Sequence, residues 1–119
     1  MKQDRIHKAF ERFHAQDYRQ AERLLREAVD LDPQAVEPRV HLAHLLRILN
    51  RMDETVPLLE PLLLEDPVPF EVCWLLFEGY RARGNLSDAC RIAADLADDP
   101  QLGGERRREI IECARRVGD

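Results

Sequence analysis

Apolar residues along the chain recur at the three- and four-residue intervals of an amphipathic α-helix. A first stripe comprises Ile6, Ala9, Phe10 and Phe13. A second stripe comprises Ala21, Leu24, Leu25, Ala28, Val29 and Leu31. Asp17 precedes the second stripe as a candidate helix cap, with Gln20 at the partner position of a capping box. Asp32-Pro33 ends the stripe, because the residue before a proline is pushed out of the α conformation. The pattern predicts two helices joined by a short turn.

This pair of helices repeats with a period close to 34 residues. Asp32-Pro33 returns as Asp66-Pro67 after 34 residues and again as Asp99-Pro100 after 33. Small side chains keep the same spacing at Ala21, Thr55 and Ala89. A fixed period of this length indicates a repeat architecture. It predicts helix pairs over about 4–33, 34–67 and 68–100 and a seventh helix over about 105–117, all within one domain of residues 1–119.

Residues inside the second and third units make two local predictions. Asn50 and Gly84 hold the same position between the paired helices, and both residue types adopt the left-handed conformation that a tight turn needs. Pro57 and Pro61 lie in the second helix of the second unit. An interior proline removes a backbone hydrogen bond and clashes with the preceding turn, so a bend is predicted near residues 57–61.

Composition excludes several classes of protein. Hydrophobic residues make up 45% of the chain, which argues against a disordered segment. The formal net charge of -5 is a poor match to the basic face of a nucleic-acid-binding protein. No apolar run approaches the roughly 20 residues that span a bilayer, and the first residues lack the apolar segment of a signal peptide. These features predict a cytoplasmic protein with no membrane insertion.

Arginines dominate the seventh helix. They are Arg106, Arg107, Arg108, Arg115 and Arg116, and glutamates alternate with them. The run is typical of the polar outer face that ends a stack of repeats. A basic patch for an acidic partner is the alternative, which the interleaved glutamates weaken.

Residues that could carry chemistry are few and widely spaced. Cys73, Cys90 and Cys113 match no metal or redox spacing and are predicted as free thiols, either small buried side chains or, alternatively, redox-sensing groups. The four histidines, in two pairs on the first helices of two units, lack cysteines at ligand spacing and an HExxH pattern. The single serine, Ser87, is placed for a helix cap. The sequence therefore predicts neither a catalytic site, a metal site nor a cofactor.

The 34-residue helix–turn–helix unit resembles the tetratricopeptide repeat. The residues that carry the resemblance are Tyr18, Ala21, Leu25, Ala28 and Pro33, then Leu42, Ala43, Leu46, Leu59 and Pro67, then Leu76, Tyr80, Gly84, Ala89 and Pro100. The resemblance implies an all-α, right-handed superhelical solenoid of three repeats with a C-terminal capping helix. It also implies a concave groove, lined by the first helix of each repeat, that binds a peptide or a partner helix.

Groove residues follow from the resemblance position by position. The first unit reads one residue short between Phe13 and Tyr18, so its first helix is predicted in a shifted register. The predicted groove residues are His7, Glu11, His14, Val40, His44, Arg47, Trp74, Glu78 and Arg81. Trp74 is either a binding anchor or a packing residue between helices. Arg47 and Arg81 either hold a carboxylate of the partner or are solvated and paired with nearby glutamates.

The carboxylate clamp of some family members is not reproduced. Those relatives hold the C-terminus of heat-shock chaperones with lysines, asparagines and an arginine. The corresponding positions here are His7, Glu11, His41, Glu71 and Leu75. The prediction is therefore a non-enzymatic protein-binding module of another kind, such as a small bacterial chaperone or assembly factor. A self-assembling structural protein, a homo-oligomer formed through the groove or a repeat end, is the alternative.

Overall fold

A computed structural model of the chain describes residues 2–14, 17–97 and 99–118, with the side chains in these ranges except those of 2–4, 13, 14, 114 and 116–118. The described residues form seven α-helices and two 3₁₀ turns with no β-strand, which confirms the all-α prediction. The α-helices are α1 (Lys2–His14), α2 (Tyr18–Leu31), α3 (Val36–Ile48), α4 (Thr55–Leu59), α5 (Phe70–Arg83), α6 (Leu86–Leu96) and α7 (Gly104–Gly118). The 3₁₀ turns are Met52–Glu54 and Glu60–Leu64.

The chain divides into two compact units, Met1–Arg51 and Met52–Asp119. In the first unit, α2 packs against both α1 and α3, and its buried face presents Ala21, Leu25 and Ala28. In the second unit, α5 packs against α4 and α6, and α6 packs against α7. A continuous domain over residues 1–119 stays a prediction.

A backbone hydrogen bond that spans five residues closes the turn inside each helix pair. In every case an amide donates to the carbonyl five residues earlier, across a distance of 2.8 Å. The three bonds run from Asp17 to Arg12, from Arg51 to Leu46 and from Asn85 to Tyr80, at steps of 34 residues. The equal spans give the first repeat the same spacing as the other two, so the predicted one-residue shortening of the first repeat is wrong.

The left-handed turn residues are confirmed at both predicted positions. Asn50 has a φ of 59° and Gly84 has a φ of 78°. Their amides donate to the carbonyls of Arg47 at 3.1 Å and Arg81 at 3.0 Å. Together with the five-residue bonds these contacts form Schellman motifs, which satisfy carbonyls that the helix ends would leave unpaired.

The predicted helix caps have mixed outcomes. The Gln20 amide donates to the Asp17 carboxylate at 3.2 Å, so Asp17 is the N-cap of α2 as predicted. The cap predicted at Ser87 is wrong, because α6 begins at Leu86 and Asn85 takes the N-cap position without a side-chain hydrogen bond. The left-handed turn at Gly84 is followed by α6 from Leu86 onward, so the helix begins one residue before Ser87.

The two prolines interrupt the second helix of the second repeat, as predicted. Regular α-helix extends only over Thr55–Leu59, and a 3₁₀ turn follows over Glu60–Leu64. Pro61 lies at the start of that turn, where its missing amide is tolerated. Buried Val56, Leu59 and Leu62 hold this irregular segment in the core.

Gly79 lets α5 approach α4 closely. A Cβ atom at this position would lie 2.5 Å from Thr55 Oγ1, 3.0 Å from Val56 Cγ2 and 3.3 Å from the Met52 carbonyl oxygen. The Thr55 hydroxyl itself donates to that carbonyl at 2.7 Å. The contact therefore requires a residue without a side chain at position 79.

Candidate functional site

An apolar pocket of about 300 Å³ opens in the first unit among α1, α2 and α3. It is lined by Ile6, Ala9, Phe10, Ala21, Leu25, His41, His44, Leu45 and Ile48. Ala21 and Leu25 of α2, together with Ile6 and Ala9 of α1, are buried and form its interior. Because the lining is almost entirely apolar, the pocket suits a hydrocarbon or aromatic group rather than a charged one.

Two large apolar side chains at this pocket remain in contact with solvent. Phe10 is 42% exposed and Ile48 is 50% exposed. The Phe10 ring meets the His41 ring edge-on, with 4.7 Å between ring centres and an interplanar angle of 78°. Phe10 belongs to the apolar stripe predicted for the first helix, and α1 presents it at the pocket, where about three-fifths of the residue is covered. The exposed pair gives the pocket a surface that a partner could bury.

Histidine–glutamate pairs lie on two of the three helices that line the pocket, α1 and α3. His7 Nε2 and Glu11 Oε1 are 3.2 Å apart on α1, and both side chains are mostly exposed. His41 Nε2 and Glu37 Oε1 are 3.5 Å apart on α3. These pairs supply polar groups one helical turn apart on each helix.

The predicted groove residues of the first unit fall into three groups. His44 lines the apolar pocket. His7, Glu11 and Arg47 are exposed, and Val40 is half-buried. The side chain of His14 lies outside the described residues.

Two of the groove residues predicted in the second unit, Trp74 and Arg81, contact side chains of α7. Trp74 is only 2% exposed, and the Arg106 guanidinium lies 4.7 Å from its ring centre. The same guanidinium is 3.3 Å from Glu71 Oε1. Of the two alternatives for Trp74, this burial supports packing between helices.

Arg81 also contacts α7. Its guanidinium is 3.5 Å from Glu109 Oε2 and 5.3 Å from the centre of the Phe77 ring. Arg81 and Glu78, both predicted groove residues, line a polar hollow of about 410 Å³ together with Met52, Ala82 and Glu109. The structure thus brings these two residues together in a polar setting.

A larger cleft of about 700 Å³, also in the second unit, was missed by the sequence analysis. Four carboxylates line it, those of Glu60, Asp88, Asp95 and Asp99, above an apolar surface that includes Phe70, Ile92 and Leu96. Arg91 is the one cation among its described lining residues, and it pairs with Asp88. The spacing of seven residues from Asp88 to Asp95, both on α6, is the helical signal that could have revealed this face.

Two titratable groups in this cleft are shifted toward their neutral forms. Burial and the neighbouring Glu60, whose Oε1 accepts a hydrogen bond from the Tyr80 hydroxyl at 3.2 Å, raise the pKa of Tyr80 to about 12. Burial, aided by the charges of Asp95 and Asp99, raises the pKa of the Cys73 thiol. A neutral thiol is a weak nucleophile, so this cleft is poorly suited to cysteine catalysis.

Within the described ranges, no group of three or more histidine, cysteine, aspartate or glutamate side chains could hold a metal ion. None of the helices in the described part of the chain has the length and apolar character that a bilayer crossing demands.

A sequence profile of the tetratricopeptide repeat matches residues 12–72, which include α2, α3, α4 and the start of α5. No curated protein sequence matches the chain.

Proposed function

Because the chain belongs to the tetratricopeptide repeat family, whose repeats generally mediate protein–protein interaction, we propose that it is a non-enzymatic binding module. Its binding site is the apolar pocket of the first unit, which receives an apolar side chain from a partner protein. The partner presents this side chain on a helix or an extended segment.

The solvent-exposed pair of Phe10 and Ile48 at the mouth of an apolar pocket is the observation that carries this proposal. Burial of apolar surface contributes roughly 25 cal/mol per Å², and a single anchor side chain in a desolvated pocket often dominates an interface. Helices that pack on one another form the pocket, so the module loses little conformational freedom on binding.

Polar groups next to the pocket supply orientation in this proposal. His44 lies in the lining, and the exposed His7, Glu11 and Arg47 offer hydrogen bonds to residues that flank the anchor. The other predicted groove residues stay predictions as partner contacts. They are His14 and Val40 in the first unit and Trp74, Glu78 and Arg81 in the second. A chaperone or assembly factor that shields an apolar segment is the specific role that this chemistry favours.

Site-specific photocross-linking tests the pocket directly. A benzophenone side chain replaces Ile48 in one variant and Arg23, an exposed residue of α2, in the control. We expect position 48 to capture a defined partner in cells and position 23 to capture none. The same product at both positions, or none at position 48, would contradict the proposal.

Calorimetry with the purified partner then measures the contribution of the pocket. Ile48→Glu places a charge at the apolar mouth and should weaken binding at least about 10-fold, whereas Arg23→Glu should leave the Kd unchanged. Circular dichroism checks that both variants stay helical. A cross-link to a second copy of the chain would favour the alternative, a self-assembling scaffold.

A further inference from the structure

Two of the three free thiols lie in contact across α6 and α7. The sulfur atoms of Cys90 on α6 and Cys113 on α7 are 3.2 Å apart, and the Cys90 thiol also donates to the Cys113 carbonyl at 3.4 Å. The two residues are 23 positions apart in sequence, which is why their spacing matches no motif. Neither thiol is part of the proposed binding pocket.

We propose that Cys90 and Cys113 form a dithiol modification site that a small-molecule disulfide oxidises to an intramolecular disulfide joining α6 to α7. A disulfide bond is about 2.05 Å long, so the two sulfur atoms need to approach by roughly 1 Å. The proposal assigns this movement to rotation of the two cysteine side chains.

The reaction proceeds by two exchange steps. The Cys90 thiolate attacks one sulfur of oxidised glutathione, so a Cys90–glutathione bond forms and one reduced glutathione leaves. The Cys113 thiolate then attacks the Cys90 sulfur and releases the second reduced glutathione. The two cysteines lose two electrons and two protons in total, and one oxidised glutathione becomes two reduced ones.

The order of these steps follows from exposure. Cys90 is half-buried and can meet a soluble disulfide, whereas Cys113 is only 7% exposed and acts as the resolving thiol. Burial, together with the neighbouring Cys113 thiol, raises the pKa of Cys90 to about 11. Few Cys90 side chains are thiolates near neutral pH, so the attack of Cys90 on oxidised glutathione is slow. The attack of Cys113 on the Cys90–glutathione bond is favoured because the two cysteine sulfur atoms are already in contact.

The new bond would hold α7 in its place on the second unit. Arg106 of α7 lies over Trp74, and Glu109 of α7 pairs with Arg81, so side chains of α7 contact the face of α5 that carries these groove positions. When the thiols are reduced, α7 is held by non-covalent contacts alone. The oxidised form therefore keeps Trp74 covered, and the reduced form allows local opening of α7.

Equilibration with glutathione tests the proposal. The full chain is incubated to equilibrium in a millimolar mixture of reduced and oxidised glutathione, quenched in acid, alkylated and digested. We expect a mass loss of about 2 Da and a linked peptide joining Cys90 to Cys113, with Cys73 alkylated. Amide exchange in α7 should be roughly 10-fold slower in the oxidised form, and acrylamide should quench Trp74 less.

Matched variants separate this pair from general thiol oxidation. Cys73→Ser should retain the mass loss, and Cys90→Ser should abolish it. Where Cys90→Ser fails to fold, peptide mapping of the unaltered chain still decides the outcome. Full alkylation of Cys90 and Cys113 after equilibration, or a link through Cys73, would overturn the proposal.

Discussion

The Arg106 guanidinium lies 4.7 Å from the centre of the Trp74 ring and 5.7 Å from that of Phe70. The arginine run of α7 was predicted as a polar outer face, but this member points toward α5 and is paired with Glu71. The guanidinium is planar and weakly hydrated, so it covers an aromatic surface while keeping an ion pair. Arg106 therefore helps to fasten the last helix to the second unit.

Replacement of Arg106 by alanine should loosen α7. We expect Arg106→Ala to lower the free energy of unfolding by about 1–2 kcal/mol, because the cation–π contacts and the Glu71 pair are lost together. Acrylamide quenching of the single tryptophan should increase. Urea denaturation and fluorescence measure both effects. Arg107→Ala, at an exposed position of the same helix, is the control and should change neither value.

Alanine at position 79 should be strongly destabilising. Its Cβ would lie 2.5 Å from Thr55 Oγ1, so α5 and α4 would have to separate. We expect Gly79→Ala to lower the free energy of unfolding by about 2 kcal/mol, within the range of overpacked cores. In a Thr55→Ala background, measured by chemical denaturation, the same change should cost less. Gly103→Ala meets no atom within 4 Å and serves as the control.

The Glu22–Arg51 pair should make part of the stability depend on pH. Two hydrogen bonds of 2.8 and 3.0 Å from the Arg51 guanidinium lower the pKa of Glu22 below its ordinary value, against an opposing effect of burial. Since the pKa is lowered on folding, the stabilisation is present above the unfolded-state value and is lost as pH falls through the folded value. Glu22→Gln should cost about 1 kcal/mol near pH 7 and almost nothing in strong acid.

Denaturation of this variant and the unaltered chain across the acidic range checks the sign. Glu65→Gln, at an exposed position, should leave the free energy of unfolding nearly constant relative to the unaltered chain. A Glu22 effect that persists unchanged in strong acid would show that the pair does not act through the charge of the carboxylate.

The stability of the chain should depend on which residue occupies the left-handed turn position 50. Asn50 and Gly84 both have positive φ angles, and a Cβ atom is unfavourable in this conformation. We expect Asn50→Ala to lower the free energy of unfolding by about 1 kcal/mol and Asn50→Gly to leave it unchanged or raised. Thermal denaturation measures both. If Asn50→Ala were as stable as Asn50→Gly, the left-handed conformation at position 50 would not contribute to the free energy of unfolding, and the prediction would be wrong.

The sequence by itself determined what depends on nearby residues. The 34-residue period predicted the helix pairs, Asn50 and Gly84 predicted the turns, and the prolines predicted the interruption of the second helix in the second repeat. Each of these features follows from backbone preferences that act within a few positions. The Asp17 cap belongs to the same class. The wrong prediction of a cap at Ser87 shows that the turn before a helix sets the residue at which the helix begins.

Only the tertiary structure decided which distant residues meet. Cys90 and Cys113, Arg106 and Trp74, and Gly79 and Thr55 are each more than 20 positions apart, and their contacts depend on the rotation of one helix against another. The spacing of apolar residues predicts which face of a helix is apolar, but it does not show which residues at the edge of that face are fully buried. That is why the apolar stripe did not show that Phe10 lies at a pocket mouth, and why the contact of Trp74 with Arg106 of α7 was visible only once the packing was known.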